Sequence, residues 1–299
     1  LLTTAFPVAQ RGRALGLLAT ATYVGLMAGL SLAGVIVEWF SWRYTFYFMA
    51  PISLVVIAVG APFLPRAAST APRTRSGPSA LLARVLGLAL FRSRVFVGAF
   101  VSALCNYISL FGMILLVPFY IEEGLGLDSG QAGLLLTAQP LMMAVTAAPA
   151  GLLSDRFGSR GLATAGMALL AGSLLGLSTM GPGSGSWTVA AWLGACGLGT
   201  GLFVSPNSSA LMGAAPRESQ GAAGSLLAEG RILGMLIGVV LASTLFHAFG
   251  GRTGAHWSVA EFSALRLVLR ISAGVALLGA VLASTRGPRA LNPTAAGES

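Results

Sequence analysis

The chain has 299 residues, of which 55% are hydrophobic and only 9% charged, and its mean hydropathy is +0.82. A soluble domain carries about 25% charged residues, so this composition excludes a water-soluble fold. The net charge of +9 comes from 18 basic residues, every one an arginine, against 9 acidic residues. In a membrane protein such an excess belongs to cytoplasmic loops, and no nucleic-acid partner is expected.

Apolar runs of spanning length, about 17–25 residues, predict eight helices, at 14–37, 44–64, 95–121, 131–153, 161–180, 188–212, 221–248 and 265–284. The first ends at Glu38, and a short turn through Trp42 and Arg43 leads into the second. The last carries Arg266 and Arg270 in its first turns. Between the second and third lies a stretch rich in Pro, Ser, Ala and Arg, predicted to be a cytoplasmic linker. The fourth and fifth are joined by a predicted cytoplasmic turn of about seven residues.

The connections alternate in charge. One side holds Arg11, Arg13, Arg66, Arg73, Arg75, Arg84, Arg92, Arg94, Arg156, Arg160, Arg217, Arg286 and Arg289. The other holds Arg43, Arg252, Arg266 and Arg270, with the acidic turn Glu122, Glu123 and Asp128. The richer side is predicted to be cytoplasmic, which puts both ends there and Ser76 and Ser159 with them, while Ser184 faces outward. The expected location is a bacterial inner membrane, crossed many times.

A weak internal repeat organises the spans. Displaced by 209 residues, the first helix falls on the seventh with nine identities in the 22 positions from 12 to 33, among them Gly25 and Gly29 on Gly234 and Gly238. Two parallel six-helix repeats follow from this. Residues 1–64 are then the last two helices of an N-terminal bundle, 65–94 the linker, 95–285 a complete C-terminal bundle and 286–299 a cytoplasmic tail. On this reading four helices precede the chain, which starts at Leu1 and not at Met.

Polar residues at membrane depth are costly and often functional. Asn106 and Tyr107 lie in the third helix, Gln139 precedes Pro140 in the fourth, and Ser205-Pro206-Asn207 lies in the sixth. Glu229 and Arg231 lie in the seventh, two residues apart and so unable to pair directly. Asn106, Tyr107, Gln139, Asn207, Glu229 and Arg231 are the candidate substrate-cavity residues, with interhelical hydrogen bonding as the alternative use of these groups. Cys105 and Cys196 sit inside apolar runs as inert small residues, and His247 and His256 have no ligand partner at metal spacing. No nucleophile–base pair or phosphate loop is present, so neither an enzyme nor a cofactor is expected.

Three segments carry a resemblance. Gly151-Leu-Leu-Ser-Asp155-Arg156-Phe-Gly158-Ser-Arg160 closely resembles the G-x-L-x-D-R-x-G-x-R signature of the major facilitator superfamily. Arg13-Ala-Leu-Gly16 with Gly25, Gly29 and Gly34 resembles the glycine-rich fifth helix of that superfamily's drug antiporters, with Leu30 where the pattern has Pro. Trp42-Arg43-Tyr44-Thr45-Phe46 and Pro51 resemble a segment of the drug-efflux branch, with Met49 where it has Asn. The resemblance implies an all-α major facilitator fold, eight of its twelve helices present. It also implies export of a drug-like or amphipathic small molecule by alternating access, coupled to protons, in a monomer. A sugar or other metabolite as substrate, or a non-transporting fragment or scaffold, are the alternatives. Gly151, Asp155, Arg156, Gly158 and Arg160 would gate, Asp155 facing the start of the first helix near Arg11 and Gly12. Gly25, Gly29, Gly34, Gly234 and Gly238 would pack helices.

Overall fold

The computed structural model describes residues 11–61, 87–216, 219–252, 254 and 257–285. Eight long helices follow one another: α1 Arg11–Trp39, α2 Trp42–Gly60, α3 Arg94–Phe119, α4 Ser129–Phe157, α5 Ser159–Leu177, α6 Ser186–Gly213, α7 Gln220–Ala248 and α8 Val259–Ser284. The last six, α3 to α8, are long and apolar enough to cross a membrane, and α1 and α2 carry shorter apolar stretches, Gly16–Gly29 and Phe46–Gly60.

Three boundaries differ from the sequence expectation. The predicted seven-residue turn after the fourth helix is instead a corner of one residue, because α4 runs to Phe157 and α5 begins at Ser159. Gly158 turns the chain with φ 84° and ψ 158°, a conformation open to glycine and costly for any residue with a Cβ. The last helix begins at Val259, six residues before the expected 265. A capping box sets that start: Ser258 and Glu261 each satisfy the other's backbone N–H. Arg266 and Arg270 consequently lie about two and three turns into the helix instead of at its start. Arg266 reaches back to donate to the Met180 carbonyl at 3.4 Å. The third difference is at the end of the predicted linker. Residues 65–86 lie outside the described residues, as do Ser76 and the tail 286–299. Residues Leu88–Arg92 form a 3-10 turn whose Leu90 is buried against Phe96, Leu211 and Ala223. This apolar stretch docks under the bundle instead of remaining a solvated linker.

The six helices from α3 to α8 pack as a unit. α6 lies between α4 and α5, α8 joins α5 to α3, and α3 carries α7. The main core is built by Met113, Met167, Leu170, Leu193, Phe203 and Leu269, among others. Glycines bring these helices into backbone contact. A Cβ on Gly166 would stand 2.6 Å from the Gly199 carbonyl oxygen, and one on Gly199 2.7 Å from that of Gly166. The α5–α6 contact is therefore backbone on backbone, the close approach that small residues permit in a bilayer. α1 packs on α4 from outside the six, and α2 touches α1.

Candidate functional site

The signature segment begins inside α4 and ends in α5. Gly151 and Ser154 are buried, Asp155 is half-buried, and Arg156 and Arg160 are exposed. What stands opposite follows from the antiparallel register of α1 and α4. Thr20 donates to the Ala144 carbonyl at 3.1 Å. One turn earlier, a Cβ on Gly16 would lie 2.7 Å from the Ala147 oxygen and 3.0 Å from Ala148 Cα. Stepping toward the end of α4, Asp155 lies about 10 Å beyond Ala148, and Arg11 about 7 Å before Gly16, at ~1.5 Å per residue. Asp155 is therefore level with the start of the described part of α1, near Arg11 and Gly12.

The candidate packing glycines divide. Gly234 and Gly238 sit against α3: a Cβ on the first would meet Tyr107 Cβ at 2.8 Å, and one on the second would meet the Ile108 oxygen at 2.5 Å. Their repeat counterparts Gly25 and Gly29 have nothing within 4 Å of such a Cβ among the described residues. Among the α1 glycines with a described environment, Gly16 is the one that meets α4; Gly34 lies in the same helix.

The candidate cavity residues also divide. Asn106 is fully buried, its Nδ2 donating to Met167 Sδ at 3.4 Å across to α5. Asn207 is equally buried and donates to the Ala99 carbonyl of α3 at 3.1 Å. Both are turned between helices. Gln139 is buried, and its backbone carbonyl lies where a Cβ on Gly197 would intrude, so α4 and α6 touch there. Ser102 and Ser109 of α3 extend the polar seam, donating to the carbonyls of Gly279 at 3.1 Å and Ser272 at 2.8 Å on α8. Such bonds satisfy polar groups that lipid cannot.

Tyr107 and Arg231 have a different setting. Tyr107 lies on the side of α3 that meets α7, where a Cβ on Gly234, one turn from Arg231, would stand 2.8 Å from Tyr107 Cβ. Tyr23 of α1 packs on Met143, Ala144 and Ala147 of α4. Arg231 is exposed and stands 11 residues into the 29-residue α7, about 16 Å along it, near mid-depth. Glu229 is exposed on another side of α7. Sequence reasoning missed Tyr23, whose only signal is a hydroxyl within an apolar run. The sequence placed Glu123 in an acidic turn, and the structure gives that residue partners at the other end of α3. Its carboxylate accepts from Gly254 N at 2.9 Å and Trp257 Nε1 at 3.0 Å, tying the α7–α8 connection to the π-helical turn Tyr120–Gly124.

The arrangement is a helical scaffold with a polar mid-depth cluster, and its similarities agree. The family model described as Major Facilitator Superfamily matches residues 1–130 and 99–298. The chain is 29% identical to the riboflavin transporter RibZ of Clostridioides difficile, over 82% of this chain and 63% of that protein. It is 26% identical to the tetracenomycin C resistance and export protein of Streptomyces glaucescens, over 83% of this chain and 56% of that one. It is also 26% identical to the multidrug resistance protein Stp of Mycobacterium tuberculosis, over 82% and 55%. The chain thus spans less than two thirds of the length of each of these three relatives. With both halves of the sequence matched by the family model and eight helices folded in its service, the chain belongs to the major facilitator superfamily of membrane transporters, which are not enzymes.

Proposed function

We propose that this chain is the larger part of a secondary active exporter of drug-like or amphipathic small molecules. It works by alternating access in a bacterial inner membrane, with both described ends on the cytoplasmic side. The observation that carries the reading is the family match along the chain, supported by Tyr107 and Arg231 at mid-depth on α3 and α7, two helices that Gly234 and Gly238 hold in close contact. Substrates of transporters of this architecture bind near the bilayer midplane, between repeats. α1 belongs to one bundle and α3–α8 to the other, so the α1–α4 contact is the surface on which the bundles rock. The excess of arginine on one side supports the orientation. Similarity to two drug-resistance proteins supports the substrate class. Proton coupling is part of the proposal.

A second reading, transport of a planar metabolite, is favoured by the similarity to a riboflavin transporter. One experiment separates them. The complete reading frame is expressed in a bacterial host stripped of its main drug pumps. Accumulation of lipophilic dyes and of riboflavin is followed with and without a protonophore. Export predicts lowered dye accumulation that the protonophore restores; unchanged accumulation of every compound refutes transport of either class.

A further inference from the structure

Where α3 begins and α8 ends, the six-helix unit holds a cavity of about 410 Å³, lined by Phe91, Arg92, Arg94, Val97, Leu282 and Thr285 among others. Small-molecule sites occupy about 300–1,000 Å³. The register of the two helices sorts this lining by depth. Ser102 donates to the Gly279 carbonyl at 3.1 Å and Ser109 to that of Ser272 at 2.8 Å, so α3 and α8 run antiparallel. Extending the pairing puts Leu282 level with Ala99 and Thr285 level with Phe96. Arg94 then stands about 3 Å nearer the membrane surface than Thr285, and Val97 about 4.5 Å deeper than Arg94. Arg92, Arg94 and Thr285 form the rim, and Val97 and Leu282 the floor. The rim is built and not loose. Leu90, in the 3-10 turn, is buried against Phe96, Leu211 and Ala223. Phe91 packs edge-on against Phe96 and Phe100, with ring centroids 5.5 and 5.4 Å apart. Ser93, between the two arginines, caps α3 by accepting from Phe96 N at 3.4 Å.

We propose that this cavity binds the phosphate headgroup of an anionic phospholipid, held by Arg92 and Arg94, with the first carbons of its chains on Val97 and Leu282. A guanidinium presents paired N–H groups to phosphate oxygens and is more weakly hydrated than an ammonium. Basic pockets between membrane helices on the cytoplasmic side take anionic headgroups. The order of depth favours a lipid over a soluble phosphate: cations at the rim and alkyl groups one turn further in match a molecule whose charge sits at the surface and whose carbons run inward. On the orientation proposed above, the cavity lies at the level of the cytoplasmic leaflet, which is the anionic one. Such a site needs α3 and α8 to cross the membrane and is indifferent to which solute the protein transports.

The test is native mass spectrometry of the purified full-length protein in detergent. The probes are phosphatidylglycerol and phosphatidylcholine with identical acyl chains, and glycerol phosphate as the soluble one. The wild type is expected to hold one phosphatidylglycerol about ten-fold tighter, or more, than either of the others. Arg92→Gln and Arg94→Gln should each weaken that binding about five-fold, and the two together should bring the preference over phosphatidylcholine below about three-fold. Arg156→Gln with Arg160→Gln removes the same charge from the same membrane face, away from the cavity lining, and should leave the preference intact. Thermal melts confirm that each variant is folded. If the two double variants lose phosphatidylglycerol equally, surface charge alone is at work and the site falls; it falls too if phosphatidylcholine binds the wild type as tightly. If glycerol phosphate binds as tightly as phosphatidylglycerol, the ligand is a soluble phosphate and the lipid assignment is overturned. Dye export is measured separately, so loss of the lipid site leaves the transport reading standing, and unchanged dye accumulation leaves lipid binding standing.

Discussion

Gly238 and Gly29 occupy equivalent places in the sequence repeat and opposite places in the structure, which makes a sharp test. Replacing Gly238 with alanine would put a Cβ 2.5 Å from the Ile108 oxygen, 3.0 Å from its Cα and 3.1 Å from its carbonyl carbon. All three are backbone atoms, so relief requires moving α7 off α3 and not a rotamer change. Overpacking of this kind costs about 1–3 kcal/mol, against a gain of about 0.5–1 kcal/mol for removing a helix glycine. A net loss of about 0–2.5 kcal/mol follows, centred near 1 kcal/mol, a factor of about 5 in the folded-to-unfolded ratio. Gly29→Ala and Gly172→Ala, with nothing within 4 Å of the added atom among the described residues, should leave stability unchanged or slightly raised. The assay is thermal unfolding of the 299-residue chain in detergent, followed by tryptophan fluorescence. If Gly238→Ala melts together with Gly172→Ala, the α3–α7 backbone contact is not what the structure makes it. If Gly29→Ala is as damaging as Gly238→Ala, the open face of α1 is wrong instead.

Asp155→Asn removes a half-buried charge that lies level with the described start of α1 and should weaken the contact between α4 and α1. This would slow transport by the full-length protein and raise the maleimide reactivity of a cysteine at the cytoplasmic mouth; wild-type values of both would leave Asp155 a solvated charge. With Cys105 and Cys196 replaced, an impermeant maleimide added to intact cells should label Gly183→Cys, in the exposed α5–α6 turn, and not Ser159→Cys; the reverse pattern would invert the topology. Asn207→Ala removes the bond to the Ala99 carbonyl and should lower thermal stability by about 1 kcal/mol with the substrate range intact. A changed substrate range at unchanged stability would return Asn207 to the cavity wall. Gly158→Ala, at φ 84°, should cost about 1–3 kcal/mol, seen as poorer folding yield or a lower melting temperature; a wild-type melt would show that the corner relaxes freely.

The sequence by itself determined the helices. A bilayer demands about 20 apolar residues per crossing and leaves the backbone no other partner than itself, so hydropathy alone located the six helices of spanning length, α3 to α8, the seventh of the eight predicted to within one residue of α7; α1 and α2 fall where helices were expected, with shorter apolar stretches. The turns were less legible. A single glycine at φ 84° replaces the expected loop at Gly158, and a local capping box starts α8 early; both are matters of a few hydrogen bonds that hydropathy does not weigh. Tertiary structure alone decided which side of each helix is used. In lipid, apolar side chains report no inside or outside, because the tails are as apolar as the core. Hence Gly29 and Gly238 look alike in sequence and differ in contact, and Asn106 and Asn207 look like cavity groups yet bond between helices. Tyr23 went unnoticed for the same reason: only the packing of α1 on α4 buries it against Met143, Ala144 and Ala147.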